Sequence, residues 1–398
     1  MKKTLVALAA SAATGAFAQV SITGNIDLGV RSVGSQTITS QKTSIEKNNA
    51  STSTMEFKGS EDLGGGLKAG FQLQWTITPE AAGTENGASQ STTGAGNSQF
   101  FTGAPFNSEQ FLSLSGGFGT VRVGEPNAAV YRAQFVTQPL GTALGSGYGG
   151  TVSRMGYIGG YGLSSYMGNT PGAGSSLRVI RMQKTAQYET PVFNGLSAMA
   201  EFSFGNDNST TLASNTPSFM GVLVNYSAGP LNLVAAQNNY KNGNNQIAGN
   251  QVVSTAAVAT IALAAGQEVV YQMLGANYKL GQHTFYAGMS NVRASNATED
   301  TQSWNVAYKY ALNSNADIMA NLVSMSSSLA NAGSATTLAN GATAATWNLN
   351  RKIIGFGADY RLSKRTNLYV RYENYDSNTD NVATGETTTT AFGIRHQF

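Results

Sequence analysis

The chain is 398 residues long, has no cysteine, and carries only 11% charged residues, with 24 basic against 21 acidic side chains. The missing cysteines exclude a disulfide framework, thiol chemistry and a cysteine metal site, and the near-neutral balance offers no basic stripe for nucleic acid. Charge this sparse lies well under the ~25% of soluble domains, yet the mean hydropathy is slightly negative and no apolar run reaches the ~18 residues of a membrane helix, so helical spans are excluded too.

Residues 1–18 read as a signal peptide. Lys2 and Lys3 form a positive start, Leu5 to Ala13 is a short apolar stretch, and Ala16, Phe17 and Ala18 make a small-x-small cleavage site. An uncleaved signal-anchor is the alternative. Cleavage removes two lysines, so 24 − 2 = 22 basic residues face 21 acids. The mature chain, 19–398, is expected to form one domain.

From there the chain alternates. Val20, Ile22, Ile26, Leu28 and Val30 share one face of the first segment, and Ser21, Thr23, Asn25, Asp27 and Arg31 the other. In the third, Leu67, Ala69, Phe71, Leu73, Trp75 and Ile77 oppose Lys68, Gly70, Gln72, Gln74, Thr76 and Thr78. Period-two segments of ~10 residues between turn signals are the signature of a transmembrane barrel. Sixteen are expected, near 20–31, 53–60, 66–78, 109–116, 119–125, 178–190, 195–205, 218–227, 230–239, 270–280, 282–291, 300–311, 315–326, 350–362, 365–375 and 388–398.

Tight turns at 62–66, 116–119, 228–230 and 280–282 suit the periplasmic side, and long polar connections near 32–52, 79–108, 126–177, 206–217, 240–269, 327–349 and 376–387 suit the outside. The most apolar stretch, 252–265, reads as part of one such connection.

A β-sandwich with one wet face would also alternate. Two features weigh against it. The segments recur along the whole chain, and aromatics crowd their ends (Trp75, Tyr226, Tyr278, Trp304, Tyr308, Tyr310, Tyr360, Tyr372), as interfacial girdles do. A closed barrel also satisfies every backbone group in lipid. The fold class expected is an all-β, sixteen-stranded antiparallel transmembrane barrel.

The longest connection, 126–177, is rich in glycine and tyrosine, with Arg132 and Arg154 its only charges. It carries no sign of regular structure, and loops of this kind are functional or disordered. Tyr131, Tyr148, Tyr157, Tyr161 and Tyr166 are candidates to line a lumen; the alternative is an exposed flexible loop. In the last segment Phe392, Ile394, His396 and Phe398 alternate with Gly393, Arg395 and Gln397, and the chain stops on the aromatic.

At 59–71 (GSEDLGGGLKAGF), 111–124 (FLSLSGGFGTVRVG), 188–195 (YETPVFNG), 362–369 (LSKRTNLY) and 393–398 (GIRHQF) the sequence resembles the general porins of β-proteobacteria, of the neisserial and comamonad/burkholderial type. The resemblance implies a homotrimer of barrels in the outer-membrane lipid, each a water-filled channel for ions and small hydrophilic solutes. It also implies a third long external loop, 126–177, folded inward to narrow the pore. Phe398 resembles the signal such barrels present to their insertion machinery; an ordinary amphipathic terminal strand is the plainer reading.

Selectivity in such channels follows diameter and the charges across the constriction. Where anion-preferring relatives carry an arginine cluster on the wall, this sequence places Thr54 and Ser108, and keeps only Arg181. The family's strand-three carboxylate falls on Gln74. Glu56 and Lys58 share the inward parity of Thr54, Glu109 follows Ser108, and Glu125 follows Arg122 and Gly124. No Asp or Glu occurs between Pro126 and Tyr188, whereas Arg132, Arg154, Arg178, Arg181 and Lys184 do. The expectation is acids on the wall, bases on or near the loop, and weakened anion preference. The competing expectation sets several of these charges at solvated rims, screened over ~8 Å.

Enzymatic readings find little support. His283 falls in an expected turn and His396 on the apolar parity of the last strand, neither in a triad or metal context; a barrel phospholipase or protease is a remote alternative. The glycines of 145–150 lack the Gly-Lys-Ser/Thr ending of a phosphate loop, and no cofactor is implied. The serious competitor is a substrate-selective channel for sugars or aromatic acids on the same barrel. A closed-barrel adhesin or phage receptor is a third class.

Overall fold

A computed structural model describes residues 19–35, 38–79, 106, 108–147, 180–182, 184–203, 218–241, 268–294, 301–330, 336–337, 343–344, 346–379 and 386–398. The signal-peptide stretch, the apolar stretch 252–265, Arg154, Arg178, Tyr148, Tyr157, Tyr161 and Tyr166 lie outside the described residues.

The strands are β1 (Gln19–Ser35), β2 (Ile38–Lys47), β3 (Thr54–Gly64), β4 (Leu67–Thr76), β5 (Gln110–Gly116), β6 (Gly119–Glu125), β7 (Thr185–Glu189) and β8 (Leu196–Ser203). They continue as β9 (Ser218–Ala228), β10 (Leu231–Lys241), β11 (Glu268–Leu280), β12 (His283–Ala294), β13 (Thr301–Ala311) and β14 (Ala316–Ala330). A separate ribbon of β15 (Thr336–Thr337) and β16 (Thr343–Ala344) precedes β17 (Thr346–Arg361), β18 (Thr366–Thr379) and β19 (Glu386–Gln397).

Every pairing is antiparallel and joins successive strands apart from β1 with β3 and β14 with β17, and β1 closes the sheet on β19 with Leu28 opposite Ile394 and Val30 opposite Phe392. The last residue completes the seam: Gly24 and Phe398 exchange backbone hydrogen bonds of 3.0 and 3.1 Å. The sheet has seventeen strands. Because β2 and β3 are two pieces of one stave, both paired to β1, the barrel has sixteen.

The two faces are inverted relative to a soluble protein. Leu112, Met289 and Phe392 are 69%, 58% and 57% exposed, whereas Asn238, Asp27 and Gln187 on the other parity are at most 2% exposed. Apolar residues outside and polar residues inside are what lipid as the outer solvent selects. Short turns join the staves at one end. One of them rests on Gly195, whose φ of +83° and close approach to Ser227 O leave no room for a Cβ. At that end His283 lies against Phe285, Tyr308 and Tyr310 on the outer face, part of an aromatic girdle.

Five expectations need correction. The stretch 32–52 is not a loop: β1 runs to Ser35, β2 returns from Ile38, and only 48–53 interrupt the stave. The expected connections 327–349 and 376–387 are shortened likewise by β14, β17, β18 and β19. Where a hairpin is wetted on both faces its serines, threonines and asparagines show no apolar alternation, although the backbone stays paired. The sixth segment shrinks to Thr185–Glu189, and Arg181 sits before it in an isolated bridge to Asn127. His283 opens β12 and is not in a turn. Finally, 126–177 does contain regular structure, a helix α1 (Ala129–Thr137).

Candidate functional site

The inner face of β3 to β5 is a ladder of hydrogen bonds. Thr54 is buried opposite Thr76. Glu56 pairs with Lys58 and accepts from Gln74 Nε2, and Ser108 Oγ donates to Gln74 Oε1. Glu109 accepts from Gln72 Nε2 at 3.0 Å and from the backbone N–H of Asn127 at 3.0 Å. Ser108 is thereby built into a polar network with Gln74 and Glu56, and Thr54 lies buried beside it.

Three arginines lie on or beyond β6. Arg122 Nη1 reaches Glu189 Oε2 at 2.8 Å and Gln187 Oε1 at 3.0 Å, and its guanidinium lies 5.6 Å from the Phe111 ring centroid. Arg132, on α1, grips the same Glu189 with two bonds of 2.8 and 3.0 Å. Arg181 Nε is 3.5 Å from Glu125 and its Nη1 is 3.4 Å from Asn127 Oδ1. Glu189 was missed by sequence reasoning, although it shares the inward parity of Gln187. Adding it, four carboxylates (Glu56, Glu109, Glu125, Glu189) balance four cations (Lys58, Arg122, Arg132, Arg181), a net of 4 − 4 = 0.

The helix α1 packs on the inner faces of β8 to β13, and the wall caps both its ends. Ala128 at the N-cap supplies no side-chain bond. Instead Glu201 Oε1 accepts from Ala129 N at 2.7 Å and Asn238 Oδ1 from Val130 N at 3.4 Å. At the other end Asn277 Nδ2 donates to Val136 O at 3.0 Å and Asn305 Nδ2 to Thr137 O at 2.7 Å. Each orphan group of a helix end needs such a partner, and a carboxylate beside the N-terminus also suits the helix dipole.

Beyond α1, Gln138 holds a tight turn by accepting from Leu140 N at 2.6 Å and donating to Gly141 O at 2.8 Å. The chain then reaches the staves across from its start. Gly145 N donates to Glu373 Oε2 at 2.8 Å, and Asn321 Nδ2 donates to Gly145 O and Ser146 O at 3.0 and 3.1 Å. Gly145 meets Gly355 backbone to backbone, an approach only glycines permit. Leu144 N also donates to Asn49 O at 3.1 Å. Asn49 belongs to the 48–53 interruption, which is tied down by Asp27: its Oδ2 accepts from Ala50 N and Ser51 N, both at 2.6 Å, and its Oδ1 from Tyr369 OH.

Near the short turns a further group of charges faces inward. Asp317 pairs with Lys309 (3.1 Å) and with Arg361. Asp359 takes two bonds from Arg371, at 3.0 and 3.1 Å. Arg395 Nε donates to Asn367 Oδ1 at 2.8 Å. The histidines are engaged elsewhere: His283 Nδ1 is 2.6 Å from Tyr308 OH, and His396 Nδ1 is 2.8 Å from Thr366 Oγ1.

Comparison with known proteins agrees with this architecture. The profile described as Gram-negative porin matches residues 4–380. Outer membrane porin protein 32 of Delftia acidovorans is 31% identical over 234 residues, 58% of this chain and 58% of that protein. The major outer membrane protein P.IB of Neisseria gonorrhoeae is 38% identical over 133 residues, 32% of this chain and 33% of that one. The matched stretches thus span between a third and just over half of these relatives. Among solved structures, the anion-selective porin from Comamonas acidovorans superposes with a TM-score of 0.66 at 20% identity, covering 96% of this chain and 100% of that chain. Salmonella typhi OmpF superposes at 0.60 and 18% identity, covering 96% and 98%. A barrel of sixteen staves, a polar inner wall and a profile match along nearly its whole length make this chain a member of the Gram-negative porin family.

Proposed function

We propose that the protein is an outer-membrane channel, assembled as a homotrimer, through which ions and small hydrophilic solutes diffuse passively. The observation that carries this reading is the course of residues 127–147 along the polar inner wall, capped at α1 by Glu201, Asn238, Asn277 and Asn305 and held at Gly145 by Asn321 and Glu373. A segment so held narrows a lumen without sealing it and serves as the constriction. Phe398, paired to β1 at the seam, is the residue we assign to recognition by the barrel-insertion machinery. Swelling of proteoliposomes in isotonic sugars tests passage: rates that fall steeply from pentose to tetrasaccharide support it, and no swelling with any sugar contradicts it.

Thr54, Glu56, Lys58, Gln74, Ser108, Glu109, Arg122, Glu125, Arg132 and Arg181 are the constriction residues of this reading, with Arg154 and Arg178 of the same proposal outside the described residues. The pairing of acid with base around Glu56, Glu125 and Glu189 supports a weak ion preference, unlike that named for the Comamonas protein. Reversal potentials in a salt gradient test this: strong anion selectivity, unchanged in Glu56→Gln and Glu125→Gln, contradicts it.

A further inference from the structure

The charges near the short turns are not balanced. Lys309, Arg361, Arg371 and Arg395 border one cavity of about 320 Å³ together with only two carboxylates, Asp317 and Asp359, so its walls carry 4 − 2 = +2. Asp317 is shared by Lys309 and Arg361, both part-exposed, and Asp359 is consumed by Arg371 and Asn367. Arg395 makes no ion pair among the described residues. Its cross-strand neighbour Asp27 is occupied by two backbone amides and Tyr369.

The inward segment supplies an apolar part of the lining. Phe135, 44% exposed, projects from α1 with its ring edge-to-face on Tyr131 at 5.2 Å. Pro139 and Leu140 follow it around the Gln138 turn, and Met319 of β14 adjoins Leu140. Binding sites for small molecules combine such an apolar lining with a few convergent polar groups, and guanidinium groups match a carboxylate's geometry.

We infer that this cavity is a binding subsite for a small carboxylate with an apolar or aromatic body, its anionic end on Arg395, Lys309 and Arg361 and its body against Phe135 and Leu140. The inference rests on the channel reading. It adds a step to it: a solute passing the inward segment is held on the short-turn side before release.

The test uses the purified full barrel in planar bilayers in potassium chloride, with benzoate, acetate or benzyl alcohol added. Open-channel current without additive reports the channel itself, so loss of conductance and loss of the subsite are distinguishable. Benzoate is expected to reduce the current in a saturable, concentration-dependent way, at lower concentrations than acetate or benzyl alcohol. Arg395→Gln and Lys309→Gln are each expected to raise the half-blocking concentration about tenfold, the worth of one hydrogen bond to a charged group. Phe135→Ala is expected to bring benzoate to the level of acetate. Should Arg395→Gln fail to give heat-resistant barrels, Lys309→Gln and Phe135→Ala carry the test. A conducting channel indifferent to benzoate overturns the inference, as does block by benzyl alcohol equal to that by benzoate, or block unchanged in the variants.

Discussion

Arg132 on the inward helix and Glu189 on the wall are joined by two parallel hydrogen bonds, and the same carboxylate also holds Arg122. One acid thus bridges two cations and ties the helix to β7. Glu189→Gln is expected to take the balanced group of eight charges from 0 to +1. Its reversal potential in a salt gradient should move toward anion preference, while an unmoved potential would mean that these groups lie away from the ion path.

Both ends of α1 depend on wall side chains. Glu201→Ala removes the acceptor of Ala129 N, and loss of an N-cap costs about 1 kcal/mol. We expect noisier single-channel currents and faster proteolysis within 127–147, with the heat resistance of the barrel nearly unchanged. Quiet currents would place the helix's anchoring elsewhere.

Gln134 on the same helix is 0% exposed, and its amide finds no hydrogen-bond partner among the described residues. Exchange for the similarly sized Met removes a desolvated polar group that costs about 1–3 kcal/mol. Gln134→Met should therefore slow proteolysis of 127–147, the reverse of Glu201→Ala.

A side chain at Gly355 meets the backbone of Gly145, with Cα and C at 2.5 and 2.7 Å from an added Cβ. Gly355→Ala is expected to push 144–147 off the wall, at about 1–3 kcal/mol for overpacking. The readout is a changed unit conductance in an intact barrel; wild-type conductance would argue against a seated segment.

On the outer face Val306, 49% exposed, meets lipid. Val306→Arg should cost about 2–4 kcal/mol in folding into vesicles, less if the site lies nearer an interface. A cost near zero would mean that this face is covered by protein.

The staves were legible in the sequence because lipid enforces strict alternation: Leu67 to Thr76 and Phe392 to Phe398 read the same in both views. The helix was not. Its sequence AVYRAQFVT has no capping residue, and the groups that cap it lie 72 residues away at Glu201 and 108 away at Asn238. Of the site, the inward parity of Glu56, Lys58 and Gln74 was readable. The role of Glu189 was not, because it depends on where α1 sets Arg132 down.

The most direct test of the channel reading is the conductance of the purified protein in planar bilayers under rising voltage. Steady ohmic insertion steps, each closing in three equal decrements, are the expected result. A folded, heat-resistant barrel that inserts without conducting would contradict it.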